Sequence, residues 1–138
     1  MLHRTTYRVI YGDTDQMGVV YHANYLQFFE RGRCELLNAV GFDYGALERE
    51  GTFFAVVDAR VRYRLPARFN DLVIIETRIT QVGRVRADFH YRLLRTEGGI
   101  EVALAEGETT LACIDRQGRP QRIPAGVATL LAPRSTVA

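Results

Sequence analysis

Asp13 and Asp15 stand nine and seven residues ahead of His22, within the stretch YGDTDQMGVVYHANYLQFFERGR at residues 11–33. If the aspartate loop folds back on a helix that begins near His22, one carboxylate comes to lie beside free backbone N–H groups. Those groups and the helix dipole can polarise a carbonyl oxygen. Such a pairing is half of an acyl-transfer site. The plainer alternative is that both aspartates cap a turn and the helix, and that His22 merely packs at the helix start. Spacing alone leaves the two open.

Composition narrows the chemistry. All 18 basic residues are arginine, so the chain has no lysine. Schiff-base aldolases, pyridoxal enzymes, P-loop phosphate binders and protein kinases all need a lysine amine and are excluded. The only serine, Ser135, lies near the C-terminus without a G-x-S-x-G elbow, which excludes a serine hydrolase. Cys34 and Cys113 lack metal-ligand spacing and His3, His22 and His90 are scattered, so no metal site is expected. A net charge of +2 does not point to nucleic acid. The longest apolar run, residues 53–57, is far too short to span a membrane, and the N-terminus lacks the apolar stretch of a signal peptide. A cytoplasmic protein is expected.

The elements that must hold these groups follow from hydrophobic period. One domain, residues 1–138, is expected, with residues 132–138 as a loose tail. Residues 4–11 read as a strand with Tyr7, Val9 and Tyr11 on one side. Residues 22–40 read as a long helix, because Leu26, Phe29, Leu36, Leu37 and Val40 recur at helical spacing and Gly41 stands where a terminating glycine belongs. Gly32 inside it implies close packing on another backbone. A second, short helix is expected at 43–50. From Thr52 the period becomes two. Val57, Ala59, Val61 and Tyr63 alternate with charged residues. Further strands follow at 72–82, 84–96 and 100–114, with turns at 66–71, 97–99 and 115–120. Residues 122–131 close the chain as a short strand or helix. The fold class is α+β, an antiparallel sheet wrapped around one long helix. Two copies could join their sheets edge to edge.

Residues 13–33, DTDQMGVVYHANYLQFFERGR, together with the turn PARFND at 66–71, resemble the signature of the hotdog-fold acyl-CoA thioesterases of the 4-hydroxybenzoyl-CoA thioesterase type, in the branch associated with the Tol-Pal gene cluster. The resemblance implies a thioesterase in which Asp15 is the catalytic carboxylate, as general base or as nucleophile, and His22 is the accompanying histidine. It implies that the main-chain N–H of His22 polarises the thioester carbonyl. Tyr21, Asn24 and Tyr25 would lie along the substrate, with Asn24 and Tyr25 also keeping loop and helix in register. Arg84 and Arg86 would meet the phosphates of coenzyme A, from a neighbouring subunit in some relatives. Phe28, Phe53, Phe54 and Val56 would line the acyl tunnel.

The chemistry is coherent without lysine, serine or metal. The leaving thiolate has a conjugate-acid pKa of about 8.5, so one carboxylate suffices. No cofactor is expected, since coenzyme A is part of the substrate, and acyl carrier protein is the alternative carrier. The expected assembly is a homodimer that pairs into a homotetramer. Two other readings stand beside this one: a non-catalytic acyl-CoA binding or sensing module, which has no need of Asp15, and a dehydratase acting on hydroxyacyl thioesters. Glu30 and Arg33, one helical turn apart, read as a surface or interface ion pair, and Cys34 reads as core.

Overall fold

Buried positions 25, 28, 29, 32, 33, 36 and 37 trace a single helical stripe, the face that α1, Asn24–Ala39, turns to the core. The structure is a computed structural model and describes residues 2–135. The helix starts two residues later than its periodicity predicts, with Ala23 as N-cap and no capping side chain, and Leu26 lies off the buried face and points outward. Its end is as expected. Gly41, at φ 85°, lets its own N–H reach Asn38 O and the Phe42 N–H reach Leu37 O, the paired bonds of a Schellman motif. The short helix α2, Tyr44–Arg49, follows, capped by the Asp43 carboxylate on the Ala46 N–H.

Five antiparallel strands form one sheet: β1, His3–Arg8; β2, Phe53–Tyr63; β3, Leu72–Val82; β4, Arg86–Glu97; and β5, Ile100–Ile114. Their order is β1-β3-β4-β5-β2, so the three consecutive strands form a central meander and β1 and β2 lie at the edges. The sheet curls round α1. Gly32 sits so close to β3 that a Cβ there would collide with the Thr77 hydroxyl and lie 2.6 Å from an Ile75 methyl. The close packing expected of that glycine is therefore with β3. One turn before Gly32, Phe29 stacks on Tyr91 with ring centroids 4.5 Å apart. One core cluster gathers Phe29, Leu36, Leu37, Phe89, Tyr91 and Leu111; the other gathers Val20, Tyr25, Phe28, Ala67, Leu93 and Leu104 beneath the aspartate loop.

Three edges of the expected pattern shift. β1 ends at Arg8, before the anticipated residue 11, because the Ile10 N–H is taken by the Asp13 carboxylate and the chain tightens into a 3-10 turn, Tyr11–Asp13. Tyr11 is thereby turned outward, stacked 3.9 Å from Phe69. In β2 a bulge between Val56 and Asp58 breaks the alternation, leaving Val56 and Val57 half exposed at 50% and 49%. The closing segment is helical: α3, Ala125–Ser135, anchored by buried Leu131, runs on past residue 132, where a tail was expected to begin. Residues 136–138 of that tail lie outside the described residues.

Candidate active site

The two aspartates that look alike in the sequence take different jobs. Asp13 is buried, and its Oδ2 accepts from the Tyr7 hydroxyl at 2.8 Å and the Ile10 N–H at 2.9 Å. Its main-chain oxygen accepts from Asn24 Nδ2 at 2.8 Å and from the Tyr21 N–H at 2.9 Å. Asp13 is thus the clip that folds the loop onto the start of α1. Burial, followed by the bond to Asp13, pushes the Tyr7 phenol up, so it remains a donor.

Asp15 is half-buried and less engaged. Its Oδ1 accepts from the Met17 N–H at 2.8 Å, and its backbone closes a tight turn, with its N–H on Val19 O and the Gly18 N–H on its own carbonyl. Among the described residues nothing bonds to its Oδ2. The side chain borders a cleft of about 340 Å³ that it shares with Met17, Val20, His22, Tyr25 and Tyr63. That lining is mostly apolar, as suits an acyl group beside one carboxylate.

His22 lies opposite, in a turn from Tyr21 to Asn24 closed by the Asn24 N–H on Tyr21 O at 2.9 Å. Its imidazole rests against the Tyr21 ring, centroids 4.5 Å apart. Among the described residues the N–H groups of His22 and Ala23 meet no acceptor, and no side chain or first-turn acid serves this helix end. An uncapped helix start presents donors and the positive end of the dipole. The structure therefore brings Asp15 and His22 to one cleft, with free backbone donors next to them.

The other expected contacts divide. Tyr25 lines the cleft, its hydroxyl accepting from the Ala67 N–H at 3.2 Å and its ring meeting Tyr63 edge-on. Burial raises its pKa. Asn24 is a tether through Asp13, as described, and Tyr21 supports the His22 ring. Arg84 and Arg86 are exposed and lie elsewhere. The register pairs Arg86 with Ala112 and, through it, Ala55, whereas Tyr63 pairs with Ala105 and, through it, Leu93. Seven residues of strand separate the two levels, roughly 23 Å. Within one chain these arginines do not reach the cleft. Phe28 is core between Tyr7 and Tyr25, and Phe53 and Phe54 lie at the far end of β2, so this part of the expected tunnel is not assembled at the cleft either.

Arg33 departs most from expectation. It is only 7% exposed, and its Nη1 donates to the Tyr91 hydroxyl at 3.0 Å, while Glu30, largely exposed, stands 4.0 Å away. The expected i, i+3 ion pair with Glu30 is thus present, but its arginine is a core guanidinium. Cys34 borders a larger groove, about 490 Å³, between β1 and α1, lined by Thr5, Thr6, Glu30 and Arg31. Burial pushes its thiol up, which disarms it as a nucleophile. Sequence reasoning overlooked Tyr63 as a site residue. Its hydroxyl donates to His22 O at 2.8 Å, and the only hint was a tyrosine at the end of an alternating strand just ahead of Pro66.

A sheet of this order curled about one uncapped helix, with a single carboxylate facing the helix start, is an α+β hotdog fold with the makings of acyl-transfer chemistry. The chain belongs to the thioesterase-like superfamily, whose sequence pattern it matches over residues 9–131. It is 37% identical over 127 residues to the acyl-CoA thioester hydrolase YbgC of Escherichia coli O6:H1, covering 91% of this chain and 92% of that one. The crystal structure of the hypothetical protein TT1821 from Thermus thermophilus superposes with a TM-score of 0.87 at 36% identity, covering 97% and 98% of the two chains. A crystal structure of a 4-hydroxybenzoyl CoA thioesterase mutant superposes equally well, TM-score 0.87 over 94% and 98% of the chains. At 19% identity that likeness speaks to the fold alone.

Proposed function

We propose that this chain is an acyl-CoA thioesterase, converting an acyl-CoA and water to the free acid and coenzyme A. The observation that carries the reading is that Asp15, with one carboxylate oxygen unengaged, shares an apolar cleft with the uncapped start of α1. The thioester oxygen binds at the His22 N–H, with the helix dipole behind it, and negative charge developing there is stabilised by donors already in place. Asp15 then takes the proton of the attacking water, or itself attacks the acyl carbon to give a mixed anhydride that water cleaves. The thiolate leaves without strong acid assistance. The His22 ring borders the acyl group. Acyl carrier protein is the alternative carrier.

The half-exposed Val56 and Val57 along the unpaired edge of β2 support a homodimer, here taken to pair into a homotetramer. In such an assembly Arg84 and Arg86 serve the coenzyme A phosphates of a neighbouring subunit's site. Among the described residues no helix is long and apolar enough to cross a membrane, which is compatible with the cytoplasmic setting proposed here.

The test is a panel of short, long and aromatic acyl-CoA esters with thiol release followed colorimetrically, on the wild type and on Asp15→Asn. Turnover of at least one ester is expected, and Asp15→Asn is expected to lose about 100-fold or more in kcat while still binding substrate. His22→Ala should cost less, because its backbone N–H survives. Undiminished turnover by Asp15→Asn would overturn the assignment of Asp15. Binding without thiol release across the panel would replace the enzyme by a sensing module.

A further inference from the structure

The turn that presents the His22 N–H is held at both ends by Asp13. The Tyr21 N–H and the Asn24 side chain each donate to Asp13 O. Its middle, the peptide joining His22 to Ala23, has no comparable backbone anchor: the Tyr25 N–H approaches His22 O only at 3.4 Å. The central peptide of a four-residue turn is the unit whose rotation changes the turn type, and this one carries the Ala23 N–H rigidly with His22 O.

One side chain holds that peptide. The Tyr63 hydroxyl donates to His22 O at 2.8 Å from across the cleft. Tyr63 ends β2, where it pairs with Ala105, and the next two N–H groups, of Arg64 and Leu65, both bond to Leu104 O. Its ring meets Tyr25 edge-on, centroids 5.0 Å apart, and Tyr25 is buried. Partial burial pushes the phenol up, so the hydroxyl keeps its proton through the neutral range. The bond thus transfers the rigidity of the sheet to the helix start.

We propose that Tyr63 is a positioning residue for thioester hydrolysis, its hydroxyl holding His22 O and so fixing the turn whose free His22 and Ala23 N–H groups meet the substrate carbonyl. This rests on the acyl-CoA reading above and assigns within it a residue 41 positions from His22 in sequence. Hydrogen bonding at His22 O also polarises the peptide it belongs to, which makes the Ala23 N–H a stronger donor.

Tyr63→Phe tests this, because it removes the hydroxyl and keeps the ring against Tyr25. With an ester that the wild type hydrolyses, kcat should fall between about 2- and 12-fold, the range of one ordinary hydrogen bond. KM and the thermal unfolding midpoint should hardly move. A second readout is the infrared carbonyl band of a carbonyl-¹³C acyl-CoA bound to Asp15→Asn, where turnover is slowed about 100-fold or more. That band should lie below its position in free acyl-CoA, and adding Tyr63→Phe should shift it back toward the free value. Unchanged kcat with an unmoved band overturns the proposal, as does a loss of kcat matched by equal losses of binding and stability. If the wild type binds esters and hydrolyses none, the acyl-CoA hydrolase reading fails on its own. The carbonyl band, then read with and without Tyr63→Phe on the wild type, still decides the positioning role. Absence of any binding overturns both.

Discussion

Asn24, the first residue of α1, donates its side-chain N–H to the main-chain oxygen of Asp13 at 2.8 Å, joining the catalytic loop to the helix it must face. The bond crosses eleven residues and ties two backbones that no sheet ladder connects.

Asn24→Ala should therefore loosen the register between Asp15 and the His22 N–H. A drop in kcat of about 10-fold is expected, with destabilisation of about 1 kcal/mol, the typical value of one hydrogen bond. Steady-state kinetics and urea unfolding measure the two effects separately. A stability loss without any kinetic loss would mean that the loop holds its place by Asp13 and Tyr7 alone.

Arg84 and Arg86 are expected to act on phosphate from a partner subunit, since their own cleft is about seven strand residues away. Their joint replacement by alanine should raise KM for acyl-CoA several-fold and leave kcat nearly intact, the pattern for groups that bind ground and transition states alike. Mixing this double variant with Asp15→Asn should yield hybrid oligomers in which one cleft retains both features. An unaltered KM would return both arginines to the solvated surface.

Acid should weaken the outer face of the sheet. Arg62, 2.9 Å from Glu106 Oε1, holds that carboxyl below the ordinary glutamate range, with His90 at 3.6 Å contributing. The folded chain releases this proton at a lower pH than the unfolded chain does. The resulting stability is present above the unfolded value, about 4.3, and disappears as pH falls through the lowered folded value. Urea midpoints of the wild type and Glu106→Gln should differ most near pH 6 and converge as pH falls through the lowered folded value. Parallel pH profiles for the two proteins would show that the Arg62 contact contributes nothing.

The strands Leu72–Val82 and Ile100–Ile114 were legible to the residue because turns rich in Gly, Pro, Asn and Asp bound them, even though bulges interrupt their ladders. The end of α1 was legible through Gly41. Its beginning was not, since the sequence sign of a helix start is a capping side chain and Ala23 carries none. Asp15 and His22 stood out because they fall in one short segment. Tyr63 did not, because only the pairing of β2 with β5 delivers it to His22. The burial of Arg33 escaped notice for a related reason. Spacing of i and i+3 suggests a partner on the helix surface, but the stripe that buries Phe29 and Leu36 also includes position 33, where Tyr91 receives the guanidinium.

The bare N-terminus of α1 also has a thermodynamic side. A serine or aspartate in place of Ala23 would ordinarily contribute about 1 kcal/mol to a helix, and this chain forgoes it on its longest helix. On the reading proposed here, the missing cap arrives with the substrate, whose carbonyl oxygen completes the helix for as long as the thioester lasts. Folding is then left slightly unfinished until there is something to cleave.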